Sequence, residues 1–145
     1  MTKIIQQAMR TDLDEIMSLL KKSNLPIEDI TEDMLQHFLI LRIGGSIKGC
    51  VGLEMKEEFG LLRSLVVDPE IKGQGLGKIL LEEIENWARS NNLTALYLLT
   101  DTTPQFFEKH EYVNIQRNAA PSSILKTRQF SEICGSSALT YVKRL

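Results

Sequence analysis

The chain is poor in cysteine, with Cys50 and Cys134 the two thiols in 145 residues. Two cysteines cannot form a disulfide framework, and no cysteine or histidine spacing matches a metal site, so no metal is expected. So few thiols suit a reducing compartment, and a cytoplasmic location is expected. Neither sign of charge dominates: 17 basic residues stand against 19 acidic, for a net charge of −2. The basic surplus of a nucleic-acid binder is missing, and no such partner is expected. No apolar run approaches the roughly 20 residues that cross a bilayer. Arg10, Asp12, Asp14 and Glu15 come before any long apolar stretch, so neither a signal peptide nor a membrane partner is expected. What the chain does have is a globular composition, 43% hydrophobic and 25% charged. With no repeat, low-complexity tract or linker to divide it, residues 1–145 read as one domain.

Hydrophobic periodicity supplies the elements. Residues 3–8 read as a first strand. Thr11 is placed to cap a helix with Asp12 and Asp14 in its first turn and Lys21 and Lys22 in its last, matching the helix dipole. Leu13, Ile16, Met17 and Leu20 would form its buried face. A shorter helix is expected over about residues 29–37, with Met34, Leu35 and Phe38 inward. "FLILRI" and "IKGCVGLEM" then read as strands joined by a glycine turn. "LLRSLVV" is apolar on nearly every residue and reads as a central strand. Leu76, Ile79, Leu80, Ile84, Trp87 and Ala88 form a helical stripe. "ALYLL" reads as a buried strand, "TPQFFEKH" as a short helix, "YVNIQ" and "ALTYVKR" as closing strands. Antiparallel strands followed by a βαβ crossover make the class mixed α/β.

The turn "DPEIKGQGLGKILL" places three glycines in five positions ahead of that long helix. A Walker loop needs glycine where Lys72 stands and serine or threonine where Ile79 stands. A dinucleotide fingerprint needs glycine at Lys78. Both patterns fail. A helix N-terminus approached by glycines can still bind a pyrophosphate through backbone N–H groups, with Lys72 and Lys78 adding charge. A tight turn without a ligand explains the glycines alone about equally well.

The flanks tip that balance. "LRSLVVDPEIKGQGLGKILL" and "ALYLLTDTTPQFFEKHEY" resemble the acetyl-CoA-binding core of the GNAT N-acetyltransferase superfamily, over roughly residues 45–116. The resemblance implies a mixed central sheet of about six or seven strands with helices on both faces. It implies acetyl-CoA as acetyl donor. The family's Arg/Gln-x-x-Gly-x-Gly/Ala signature corresponds to Lys72, Gly75 and Gly77, so Lys72, Gly73, Gln74, Gly75, Leu76, Gly77 and Lys78 would hold the pyrophosphate. Leu65, Val66 and Val67 would line the pantetheine arm and offer the donor that polarises the thioester carbonyl. Thr100 occupies the place of a frequent asparagine, and Phe107 the place of a proton-donating tyrosine; both would lie on the cofactor side. The tail "AAPSSILKTRQFSEICGSSA" looks like acetyltransferases encoded beside arsenic-resistance genes.

The implied activity is direct acetyl transfer to the amine of a small molecule, such as an amino acid or an amino-acid-like toxicant. Glu54 is the leading base candidate and Tyr112 the fallback acid. A thiolate can leave without full protonation, because a thiol has a pKa of about 8.5. Arg63 is a charge within a buried-looking strand and must meet a carboxylate or a wet cleft. It reads either as an anchor for an acceptor carboxylate or as a salt-bridge partner of Glu54 or another acid. Arg128 lies where such proteins often build an acceptor wall. Nothing in the sequence brings Cys50 near Cys134, and capture of trivalent arsenic would need converging thiols. A homodimer is left open. The alternative is a catalytically silent acyl-CoA-binding regulatory module, favoured by Phe107.

Overall fold

A computed structural model describes residues 2–135 and 137–145; Ser136 of the tail segment lies outside them. Seven strands are ordered β1-β2-β3-β4-β5-β7-β6 in one sheet, with helices between them, the mixed α/β class that the element order implied. The strands are β1 (Lys3–Gln7), β2 (Phe38–Ile43), β3 (Ser46–Lys56), β4 (Phe59–Val67), β5 (Ala95–Thr100), β6 (Val113–Ile115) and β7 (Leu139–Arg144). The helices are α1 (Leu13–Lys22), α2 (Leu76–Ser90), α3 (Pro104–Lys109) and α4 (Ser122–Leu125). Two compact units divide the chain. One comprises the chain up to Glu54 with Arg63–Trp87, the other Met55–Leu62 with Ala88–Leu145.

In the first unit, β1 pairs antiparallel with β2, and β2 with β3. Gly44 (φ +58°) and Gly45 (φ +85°) turn the chain between the paired Ile43 and Ser46. Two consecutive left-handed residues make the turn whose twist suits a hairpin. The core gathers Ile16, Leu20, Leu35, Phe38, Ile40 and Val66. Helix α1 buries Ile16, Leu19 and Leu20, so Leu19 rather than Met17 completes its face. Thr11 does not cap it. The chain enters through a helical turn at Arg10–Asp12, and the Asp12 carboxylate accepts from the Met9 N–H at 2.8 Å. The second helix is shorter than expected, a 3-10 stretch over Glu32–His37, with Leu35 buried. In α2, Leu80, Leu81, Ile84 and Ala88 are buried while Ile79 is 44% exposed. Steps of three and four from Leu80 leave Ile79 off the buried face.

In the second unit, β4 and β5 run parallel over Phe59–Leu61 and Ala95–Tyr97, and β7 pairs antiparallel with both β5 and β6. Ala120, Ile124 and Phe130 from the tail segment pack with Leu61, Ala95 and Tyr97. The segment between β6 and β7 therefore supplies core, which a plain surface loop would not. The Thr127 hydroxyl donates to the Ile124 carbonyl at 2.7 Å and holds the bend between α4 and the π-turn at Gln129–Ile133.

Candidate active site

Strand β4 is nearly all buried, and its one left-handed residue is Ser64 (φ +59°). A non-glycine residue in that region costs roughly 1–3 kcal/mol and needs support from its surroundings. The support is local. The Ser64 hydroxyl accepts from Arg63 Nε at 3.2 Å, and its carbonyl accepts from Cys50 Sγ at 3.3 Å. Burial pushes the Cys50 thiol up to about 12, against the pull of the Arg63 charge. The kink precedes Leu65, Val66 and Val67, of which Val66 is buried and the other two half-buried. Gly49 on β3 makes room there, because a Cβ at Gly49 would lie 3.1 Å from the Val66 carbonyl oxygen.

Beyond Val67 the chain passes through Asp68, which is 4% exposed. Its carboxylate accepts from the Glu70 N–H at 3.0 Å and meets Lys22 Nζ at 3.2 Å, with Lys48 Nζ at 3.8 Å. The Asp68 N–H donates to the Lys48 carbonyl at 2.7 Å. The Glu70 N–H, opposed by burial and then reinforced by Lys22, holds the Asp68 carboxyl below its ordinary pKa. This clasp fixes the start of the glycine turn. Lys72, Gly73, Gln74 and Gly75 follow, all exposed, then buried Leu76, half-buried Gly77 and exposed Lys78. Gly73 (φ +87°) and Gly75 (φ +74°) are both left-handed, and a Cβ on either would meet no atom of the protein within 4 Å. The turn ends where Ile79 N–H donates to the Gly75 carbonyl at 3.3 Å. The first N–H groups of α2 have no partner within the helix and point out of its N-terminus, the arrangement that binds phosphate oxygens.

Arg63 and Glu54 are brought together, and with them Asp29, a residue the sequence did not single out. The Arg63 side chain is fully buried. Its Nη2 donates to Asp29 Oδ1 at 2.6 Å, its Nη1 to Asp29 Oδ2, and Nη1 also to Glu54 Oε2 at 3.0 Å. Burial works against the guanidinium charge, yet the Asp29 hydrogen bonds and field, then Glu54, hold its pKa above the ordinary value. Of the three side chains Glu54 has the most solvent access, at 16%. Several acids precede β2, and nothing in their spacing tells which one Arg63 meets.

The remaining expected residues lie in the second unit. Phe107 is buried with its ring 5.6 Å from that of Tyr112, which is also buried. Thr100 accepts from the Thr103 N–H at 3.2 Å and closes the turn before α3. Arg128 pairs with Glu132 at 2.9 Å on an exposed helical turn. Tyr141, also not singled out, donates to Glu108 at 2.6 Å, and that bond raises its pKa. Among the described residues no group of three or more metal-ligating side chains gathers, and no helix is long and apolar enough to cross a membrane.

Comparison with known proteins assigns this arrangement. Residues 1–112 match the model of the acetyltransferase (GNAT) family. An amino-acid acetyltransferase of Pseudomonas putida is 28% identical over 130 residues, covering 84% of this chain and 28% of that protein. The chain thus spans under a third of that relative's length. The N-acetylglutamate synthase of Neisseria gonorrhoeae, solved with coenzyme A and N-acetyl-glutamate, superposes with a TM-score of 0.86 at 24% identity. That match covers 100% of this chain and 35% of the synthase. A GNAT-family acetyltransferase from Staphylococcus aureus Mu50 matches over 99% of both chains, with a TM-score of 0.77 at 20% identity. With a family match over 112 of 145 residues and a fold shared end to end, this chain belongs to the acetyltransferase (GNAT) family.

Proposed function

We propose that the protein transfers the acetyl group of acetyl-CoA to the amine of a small molecule, with an amino acid as the first acceptor to try. The observation that carries this reading is the turn from Gly73 to Lys78, where two left-handed glycines leave open space in front of the α2 N-terminus. A pyrophosphate fits such a cradle, and a Cβ would intrude on it. Lys72, Gly73, Gln74, Gly75, Leu76, Gly77 and Lys78 would hold the phosphates, and the backbone of Leu65–Val67 would take the pantetheine arm. Acetyl-CoA supplies an activated thioester. The chain's own work is to fix the acceptor and to remove its proton.

Glu54 is the proposed base: it reaches solvent and is ionised against Arg63. Arg63 itself has its donors engaged by Asp29 and Glu54, so an acceptor carboxylate bound there must compete with them. Arg128, exposed on its helical turn, is the second candidate for that contact. Thr100, Phe107 and Tyr112 are proposed to border the cofactor from the second unit's elements. The names of the amino-acid acetyltransferase relatives support an acceptor with an α-amino group. The tail's likeness to acetyltransferases encoded beside arsenic-resistance genes adds amine-bearing toxicants to the same panel.

The direct test measures coenzyme A release from acetyl-CoA across amino acids and amine-bearing toxicants. Acceptor-dependent release is expected. One observation favours a second reading, a silent acyl-CoA-binding module: Phe107 stands in place of the tyrosine and is packed against Tyr112. Saturable acetyl-CoA binding without turnover on any acceptor would establish that module instead.

A further inference from the structure

The buried cluster of Asp29, Arg63 and Glu54 holds two carboxylates around one guanidinium. The sharing is unequal. Asp29 takes a two-pronged pair, one oxygen on each terminal nitrogen, while Glu54 receives a single bond on Oε2 from Nη1. Asp29 is 4% exposed, Arg63 0% and Glu54 16% at the side chain, so the acid with the weaker hold is the one that faces solvent. A guanidinium prefers the two-pronged geometry, and it takes that geometry with whichever carboxylate offers it. Asp29 therefore decides how much of Arg63 is left for Glu54.

We propose that Asp29 is a positioning residue: by clamping Arg63 in a two-pronged pair, it limits Glu54 to one hydrogen bond and leaves that carboxylate able to take the proton of the acceptor amine. The inference rests on the acetyltransferase reading above. The cluster carries a formal charge of −1, from two acids and one base, and the exposed end of that charge is Glu54. In the transfer step the amine nitrogen forms its bond to the acetyl carbon, the thioester C–S bond breaks, and the pair leaves on sulfur. The proton lost from nitrogen goes to Glu54, so nothing else need be supplied. With Asp29 neutral, both prongs of Arg63 turn to Glu54, both of its oxygens are engaged, and its basicity falls.

The test uses Asp29→Asn and the double variant Asp29→Asn/Arg63→Met, with circular dichroism confirming that each is folded. The asparagine keeps the size of the side chain, and the methionine fills the buried path of the arginine without its charge. For Asp29→Asn we expect kcat to drop by about ten- to hundredfold, as for a weakened general base. The KM for acetyl-CoA should stay within about twofold, since none of the three residues lies in the glycine turn. The double variant frees Glu54 of the guanidinium, and its kcat should return to within about threefold of wild type. A merely structural Asp29 gives a double variant as slow as the single one or slower, and that result overturns the proposal. An unchanged kcat in Asp29→Asn overturns it too. Failure of the wild-type chain to acetylate any amine removes the acetyltransferase reading itself, before the variants are compared.

Discussion

Two pairs of glycines in the first unit show the same residue used for opposite reasons. In β3, Gly49 and Gly52 are glycine because there is no room. A Cβ at Gly52 would lie 2.4 Å from the Phe38 ring, which sits opposite it in the strand register. In the turn, Gly73 and Gly75 are glycine because the backbone is left-handed, and the space around them is empty of protein. A glycine against a ring is explained by the ring. A glycine against nothing leaves its opening to be explained, and a ligand that must approach the backbone is the economical answer.

Substitution sharpens the contrast. Gly52→Ala should produce the largest effect, a loss of about 3 kcal/mol at the top of the overpacking range, seen as a melting temperature lower by about 10 °C. Acetyl-CoA affinity per folded molecule should be unchanged. Gly75→Asp should do the reverse: it weakens acetyl-CoA binding about a hundredfold by calorimetry, with a melting temperature within a few degrees of wild type. If Gly75→Asp binds as the parent does, the two glycine pairs do not differ in kind and the pyrophosphate assignment falls.

A smaller effect tests what holds the turn in place. The Asp68 carboxyl is held below its ordinary pKa in the folded chain, so it contributes stability above the unfolded value of about 3.9. That contribution is lost as the pH falls through the folded value. Asp68→Asn should therefore lower the melting temperature at pH 7, with the gap to wild type closing as the pH drops below about 4. A gap that widens in acid contradicts the clasp. The smallest expected effect is on proton donation: Tyr112→Phe should keep kcat within about tenfold, below the ~10²–10⁴ of an essential general acid. A thousandfold loss in folded protein would make Tyr112 the donor.

The fold was legible because its signals are local. Three glycines before Leu76, the alternation in "IKGCVGLEM" and the apolar run "LLRSLVV" each fix an element without knowledge of its neighbours. The glycine turn was legible for the same reason. What stayed hidden depends on chain segments meeting. Arg63 was read as needing a carboxylate, yet its clamp comes from Asp29, 34 positions away, ahead of a helical turn with no marker of its own. Ser64 has no sequence signature of a left-handed residue, because its conformation is held by Arg63 and Cys50. The tail segment "AAPSSILKTRQF" reads as polar, and only its spacing on the folded chain turns Ala120, Ile124 and Phe130 inward.

Cys50 gives the first unit a clock. Its thiol is fully buried, donates to the Ser64 carbonyl, and has a pKa pushed up to about 12, so the closed strand offers a labelling reagent neither access nor thiolate. Alkylation of Cys50 then counts the moments at which β3 and the kink of β4 part. Followed by mass spectrometry, with the half-buried Cys134 as a separately resolved site, its rate reports local opening under native conditions. Acetyl-CoA seated beyond that kink should slow the clock, and by an amount that grows with its concentration.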